Sequence, residues 1–151
     1  MHRKVHKGRH EDVAADLSLL ADTQWRRGRL ASADSLAREA LAMWRALKKG
    51  PNDGTARAMT MLGSIQLDAS RFESAEPLLR DGLAMSQELH PDGDRMVAVG
   101  LNALGNLMHY RARFDQVDSL QRLALAMHRR LGGEPNPDVQ VDLFNLAQVE
   151  I

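Results

Sequence analysis

Residues 36–43 read Leu-Ala-Arg-Glu-Ala-Leu-Ala-Met, residues 78–85 read Leu-Leu-Arg-Asp-Gly-Leu-Ala-Met, and residues 120–127 read Leu-Gln-Arg-Leu-Ala-Leu-Ala-Met. The blocks stand 42 residues apart, and the correspondence spreads outward from them without a gap. Leu20, Leu62, Leu104 and Leu146 fall in register, as do Arg29, Arg71 and Arg113. Ten of the 27 pairs from Leu17 to Met43 are identical at this shift; an unrelated alignment gives about two at ordinary residue frequencies. A period of this length identifies stacked supersecondary units.

Each period reads as two helices. Ala33, Leu36, Ala37, Ala40, Leu41, Trp44 and Leu47 form one stripe of a 3.6-residue helix. Asp12 to Arg27 places Val13, Leu17, Leu20, Ala21 and Gln24 on one face. Short corners join the halves at Gly28-Arg29-Leu30, Ser70-Arg71-Phe72 and Ala112-Arg113-Phe114, where the Leu or Phe is expected to plug the junction. Glycine, proline and a capping Asn or Asp separate the periods at 49–54, 90–94 and 132–138. Pro77 falls near the start of its helix. A lone helix pair cannot bury its stripe, so the pairs stack.

Composition agrees. The 151 residues include 22 Leu and 20 Ala against 8 Val, 2 Ile and 3 Thr, which favours helix over strand. Twenty basic and twenty acidic residues give zero net charge, which argues against nucleic-acid binding through bulk positive charge and against a polybasic membrane clamp. There is no cysteine, hence no disulfide, thiolate metal site or cysteine nucleophile. No stretch has the length of a membrane span or the form of a secretory signal, and a cytoplasmic location is expected.

The repeated Leu-Gly or Leu-Ala of the first helix, the corner Arg-Phe, the Ala three residues later and the closing Leu-Ala-Met resemble the tetratricopeptide repeat. The match is to the 42-residue form of kinesin light chains and many bacterial regulators. Asn136-Pro137-Asp138-Val139 is similar to that family's opening of a repeat. The aromatic usual in the first helix is replaced by Gln24, Gln66 and Met108, and Val117 stands where a small Ala is usual, which is expected to loosen packing. The resemblance implies an all-α, right-handed α-solenoid of antiparallel helix pairs, about three and a half repeats long.

The implied boundaries are 11–52, 53–94 and 95–136 for three repeats and 137–151 for the first helix of a fourth. Met1-His2-Arg3-Lys4-Val5 matches Met127-His128-Arg129-Arg130-Leu131 at three periods' offset. Residues 1–10 are therefore expected to end a preceding repeat, with the whole a slice of a longer array, and the unpaired last helix is expected to leave Val139, Leu143 and Leu146 partly exposed.

No catalytic motif emerges, and no cofactor or metal site is expected. His2, His6 and His10 are spaced by four, but Gly8 is expected to break the helix among them. There is no phosphate-binding glycine loop and no nucleophile elbow. Met43, Met85 and Met127 recur in phase and read as packing.

What remains is the concave groove that first helices line in the family. The resemblance carries its ligand-facing positions onto Ser18, Asp22, Trp25 and Arg26; Thr60, Ser64 and Asp68, with Leu67; Asn102, Asn106, His109 and Tyr110; and Phe144, Asn145 and Gln148. Ser18, Thr60 and Asn102 would form a polar ladder for peptide backbone, and Trp25, Tyr110 and Phe144 aromatic anchors. The expected function is a non-enzymatic scaffold that binds a protein or peptide, with end-to-end self-association through incomplete terminal repeats. The alternative is the regulatory segment of a larger enzyme, such as a bacterial serine/threonine kinase or signalling ATPase.

Overall fold

A computed structural model describes residues 2–131 and 137–149, with side chains from His10 to Leu131 and from Gln140 to Ala147. Seven helices follow one another: α1 (His2–Arg26), α2 (Leu30–Leu47), α3 (Asp53–Asp68), α4 (Phe72–Leu89), α5 (Arg95–Tyr110), α6 (Phe114–Leu131) and α7 (Pro137–Val149). Among the described residues there is no strand. One expected break is absent: α1 continues through Gly8, because a single glycine costs a helix only about 1 kcal/mol, which the turns on either side outweigh.

The corners repeat in atomic detail. At each, two backbone bonds close a Schellman turn: Gly28 N–H to the Trp25 carbonyl and Arg29 N–H to that of Gln24, at 2.8 and 2.9 Å. Ser70 and Arg71 repeat the pattern onto Leu67 and Gln66, and Ala112 and Arg113 onto His109 and Met108. The motif requires positive φ at its turning residue, and Gly28, Ser70 and Ala112 have φ of 74°, 60° and 56°. Caps start the next repeats as expected. Asn52 Oδ1 accepts from Thr55 N–H at 2.8 Å, and Asp94 Oδ1 accepts from Val97 N–H at 2.9 Å.

Ion pairs recur with the same period. Arg38, Arg80 and Arg122 each reach back one turn to Asp34, Glu76 and Asp118 at 2.7, 2.9 and 2.8 Å. Asp34 and Glu76 also reach forward to Arg71 and Arg111 of the following corner, at 3.7 and 2.8 Å. The Arg80 hydrogen bond, aided by the charge of Arg111, holds the Glu76 carboxyl below its ordinary range against the opposing effect of burial. Between repeats, His90 Nε2 lies 2.6 Å from Asp53 and 3.4 Å from Asp94. Chiefly through its hydrogen bond with Asp53, its pKa is raised.

Stacking buries the stripes. Ala33, Ala37 and Leu41 of α2 meet Ala58, Met59, Leu62 and Ile65 of α3. Leu79 and Leu83 of α4 meet Val97, Leu101 and Leu104 of α5, with Val117 and Ala124 of α6 behind them. Gly63 and Gly82 let α3 and α4 approach closely: a Cβ at Gly63 would lie 2.8 Å from the Leu79 side chain, and one at Gly82 2.7 Å from Thr60 Oγ1. Val117 is fully buried in this core, so the larger side chain fills its corner and does not loosen it. Met85 and Met127 pack at the core edges, as their phase implies. Phe72 plugs its corner against the core, whereas Phe114 is exposed, its ring edge-on to His109 at 5.6 Å. Pro77 is the sixth residue of α4, past the first turn where a missing N–H is free of cost.

The ends differ from the middle. Leu20 is 47% exposed, while Leu62 and Leu104, its counterparts one and two periods on, are 2% and 5% exposed. The second helix of the preceding repeat covers those two, α2 over α3 and α4 over α5; no described element covers the corresponding face of α1. At the other end Leu143 is partly exposed as expected, but Leu146 is buried against α6 beside Leu125.

Candidate peptide-binding groove

First helices touch one another in sequence, α1 with α3, α3 with α5 and α5 with α7, while among the described residues α2, α4 and α6 do not meet. The stack therefore bends with α1, α3, α5 and α7 on its inner side. Side chains tie these helices together across the bend. Trp25 Nε1 donates to Asp68 Oδ2 at 2.6 Å, joining α1 to α3. Asn145 Nδ2 donates to Asn102 Oδ1 at 2.9 Å, joining α7 to α5.

At the C-terminal half of the bend lies a recess of about 330 Å³, lined by Leu67, Asp68, Asn106, His109, Tyr110, Gln121, Phe144 and Asn145. Seven of the expected residues converge here: Leu67, Asp68, Asn106, His109, Tyr110, Phe144 and Asn145. The recess is amphipathic. Tyr110 and Phe144 are 61% and 65% exposed and offer apolar ring surface. The Tyr110 ring is held by stacking on Phe72 at 5.3 Å and by His109 edge-on at 6.2 Å. Asn106 Oδ1 accepts from Gln121 Nε2 at 3.3 Å, which orients its amide. Asp68 supplies negative charge at the rim. Amides that present both donors and acceptors, flanked by exposed aromatic rings, suit an extended backbone with an apolar side chain.

Other expected members are used differently. Thr60 is 2% exposed and donates to the Ala56 carbonyl at 3.1 Å, because Gly82 lets α4 press against this position. Ser18 donates to the Ala14 carbonyl at 3.0 Å and Ser64 to that of Thr60 at 2.9 Å, so both hydroxyl protons are committed to their own helices. With Asn102 engaged by Asn145, the three-rung polar ladder does not stand open. Trp25 is half-buried against the α2–α3 core and serves as a strut between repeats, not a free anchor. Asp22 and Arg26 pair with each other at 2.7 Å on α1, outside the recess. The Gln148 side chain lies outside the described residues. Gln121 was missed. Its counterparts Ala37 and Leu79 are apolar, and a polar residue at a core phase was the signal that could have shown it.

No group of three or more potential metal-ligating side chains gathers among the described residues, and none of their helices is long and apolar enough to cross a membrane.

The comparisons agree with this architecture. The sequence model for the tetratricopeptide repeat matches residues 17–88. None of the curated proteins matches the sequence. Among solved structures, BtubC (BKLC) from P. vanneervenii superposes with a TM-score of 0.77 at 28% identity, over 90% of this chain and 54% of that one. The chain thus spans about half the length of this relative. Residues 17–88 are similar to tetratricopeptide repeats, and the described residues form an all-α helical-repeat solenoid like that of this relative.

Proposed function

We propose that this chain is a scaffold whose inner groove binds an extended segment of another protein at the recess between α3, α5 and α7. Tetratricopeptide repeats generally mediate protein–protein interaction and are typically non-catalytic. The observation that carries the reading is the convergence of Tyr110, Phe144, Asn106, Asn145 and Asp68 on one open recess. The occupant is a peptide with an apolar or aromatic side chain seated between the two rings, its backbone held by the amides. If the segment works inside a larger signalling enzyme, the same groove would seat another part of that chain.

A peptide array with varied central residues, read in mild salt, tests this. Tyr110→Ala and Phe144→Ala remove exposed rings, so the fold is retained. Each is expected to weaken binding by about 2 kcal/mol, roughly 30-fold, as truncated interface aromatics do. Peptides that bind both variants as well as the parent would refute the site. We further infer that the open apolar face of α1 permits end-to-end association with the C-terminal repeat of another copy, supported by the exposure of Val13 and Leu20.

A further inference from the structure

The interface between α6 and α7 contains a feature that the inner interfaces lack. His128 Nδ1 lies 2.5 Å from Asp142 Oδ2, and the two side chains are 4% and 1% exposed. One and two periods earlier, the His128 position holds Ser86 and Trp44, and the Asp142 position holds Gly100 and Ala58. The inner interfaces use a small residue on the first helix for close approach: a Cβ at Gly100 would lie 3.2 Å from Leu83. At α6–α7 a histidine and a carboxylate have changed together, 14 residues apart, so this interface recognises an aspartate.

That aspartate occurs once more in phase. Asp12, Val13, Asp16, Leu17, Leu20 and Ala21 of α1 are identical to Asp138, Val139, Asp142, Leu143, Leu146 and Ala147 of α7. Helix α3 shares one of these six residues and α5 three, and neither has either aspartate. On α1 the face is open, with Val13, Asp16 and Leu20 exposed. We propose that a second copy of this chain seats its α1 on α6 in place of α7, with Asp16 taking the position of Asp142 beside His128. This rests on the end-to-end association inferred above and gives it a register.

Physical arguments favour this occupant. Hydrogen-bond complementarity is specific: the carboxylate of Asp16 meets the same imidazole that Asp142 meets. The contact continues an interface already present in the molecule. Among the described residues, α7 leaves Leu143 and Ala147 exposed. In α1 the counterparts Leu17 and Ala21 are half-buried and buried, with α2 packed alongside. The incoming α1 therefore arrives with α2 already packed on it, and Val13 and Leu20 become buried on docking. A head-to-tail contact of this kind does not close on itself, so linear oligomers result.

The test uses the full 151-residue chain. Sedimentation velocity at rising concentration is expected to show a ladder of oligomers, which Asp16→Arg and Leu20→Arg, both at exposed positions, each abolish without loss of helical circular dichroism. The register is read by paramagnetic broadening. The sequence has no cysteine, so a spin label on Ala15→Cys, an exposed position beside Asp16, is unique. Mixed with isotopically labelled parent, it is expected to broaden amide signals around Leu125 and His128 of α6, which share no contact with α1 within one copy. A protein that stays monomeric overturns both the association and its register. Oligomers that survive Asp16→Arg, or broadening centred on the Leu143–Phe144 face of α7, overturn the register alone and leave end-to-end association standing.

Discussion

The three corners form a natural series for measuring backbone strain. Gly28, Ser70 and Ala112 occupy one structural position, each with positive φ and the same pair of turn-closing bonds. For a residue with a Cβ, the left-handed conformation costs about 1–2 kcal/mol. Glycine removes that cost but loses about 0.4–1 kcal/mol through the greater freedom of the unfolded chain. Ala112→Gly is therefore expected to stabilise the protein by about 0.5–1 kcal/mol. Gly28→Ala is expected to destabilise it by a similar amount, and no steric contribution enters, because a Cβ at Gly28 meets nothing within 4 Å. For a chain of this size the melting temperature moves by about 2–4 °C per kcal/mol. Thermal unfolding followed by circular dichroism, with urea midpoints as a second measure, reads both variants. A lower melting temperature for Ala112→Gly together with a higher one for Gly28→Ala would refute the equivalence of the corners.

Two other perturbations follow from the geometry. His90 has a raised pKa in the folded state through Asp53 and Asp94, so its contribution is fully present below the unfolded value of about 6.5 and is lost as pH rises through the folded value. NMR titration of its ring is expected to give a midpoint above that of a model peptide, and Asp53→Asn is expected to bring the midpoint down. Pro77 is exposed inside α4, where its ring prevents an N–H bond to the Glu73 carbonyl. Pro77→Ala is expected to raise stability by about 1–2 kcal/mol after allowance for unfolded-chain entropy, and an unchanged urea midpoint would show that α4 has already relaxed around the proline.

Much of this architecture is legible in the residues because a repeat multiplies each weak signal. One amphipathic stripe is ambiguous, but Leu62 and Leu104 in phase, with Asn52 and Asp94 before their helices, fix both elements and their stacking. The groove is less legible, since a groove position is defined by what the neighbouring helix does. Thr60 looks like a rung until Gly82 brings α4 onto it, and Trp25 looks like an anchor until Asp68, 43 residues away, takes its N–H. The buried His128–Asp142 pair was visible only as a joint departure from Ser86 and Gly100, which requires knowing that those positions touch. Gly8 misled because a glycine weakens a helix without ending it.

The claim on which the rest depends is that each hairpin is sealed by its neighbours. Native-state hydrogen exchange on the monomeric Asp16→Arg chain reads this helix by helix. Amides of α3 and α5, covered by helices from the repeats on both sides, are expected to exchange slowest, with α1 and α7 faster by orders of magnitude as the end elements open on their own. Protection of α7 equal to that of α5 would contradict the account, since a helix with an open apolar face would then be as stable as one enclosed by the stack.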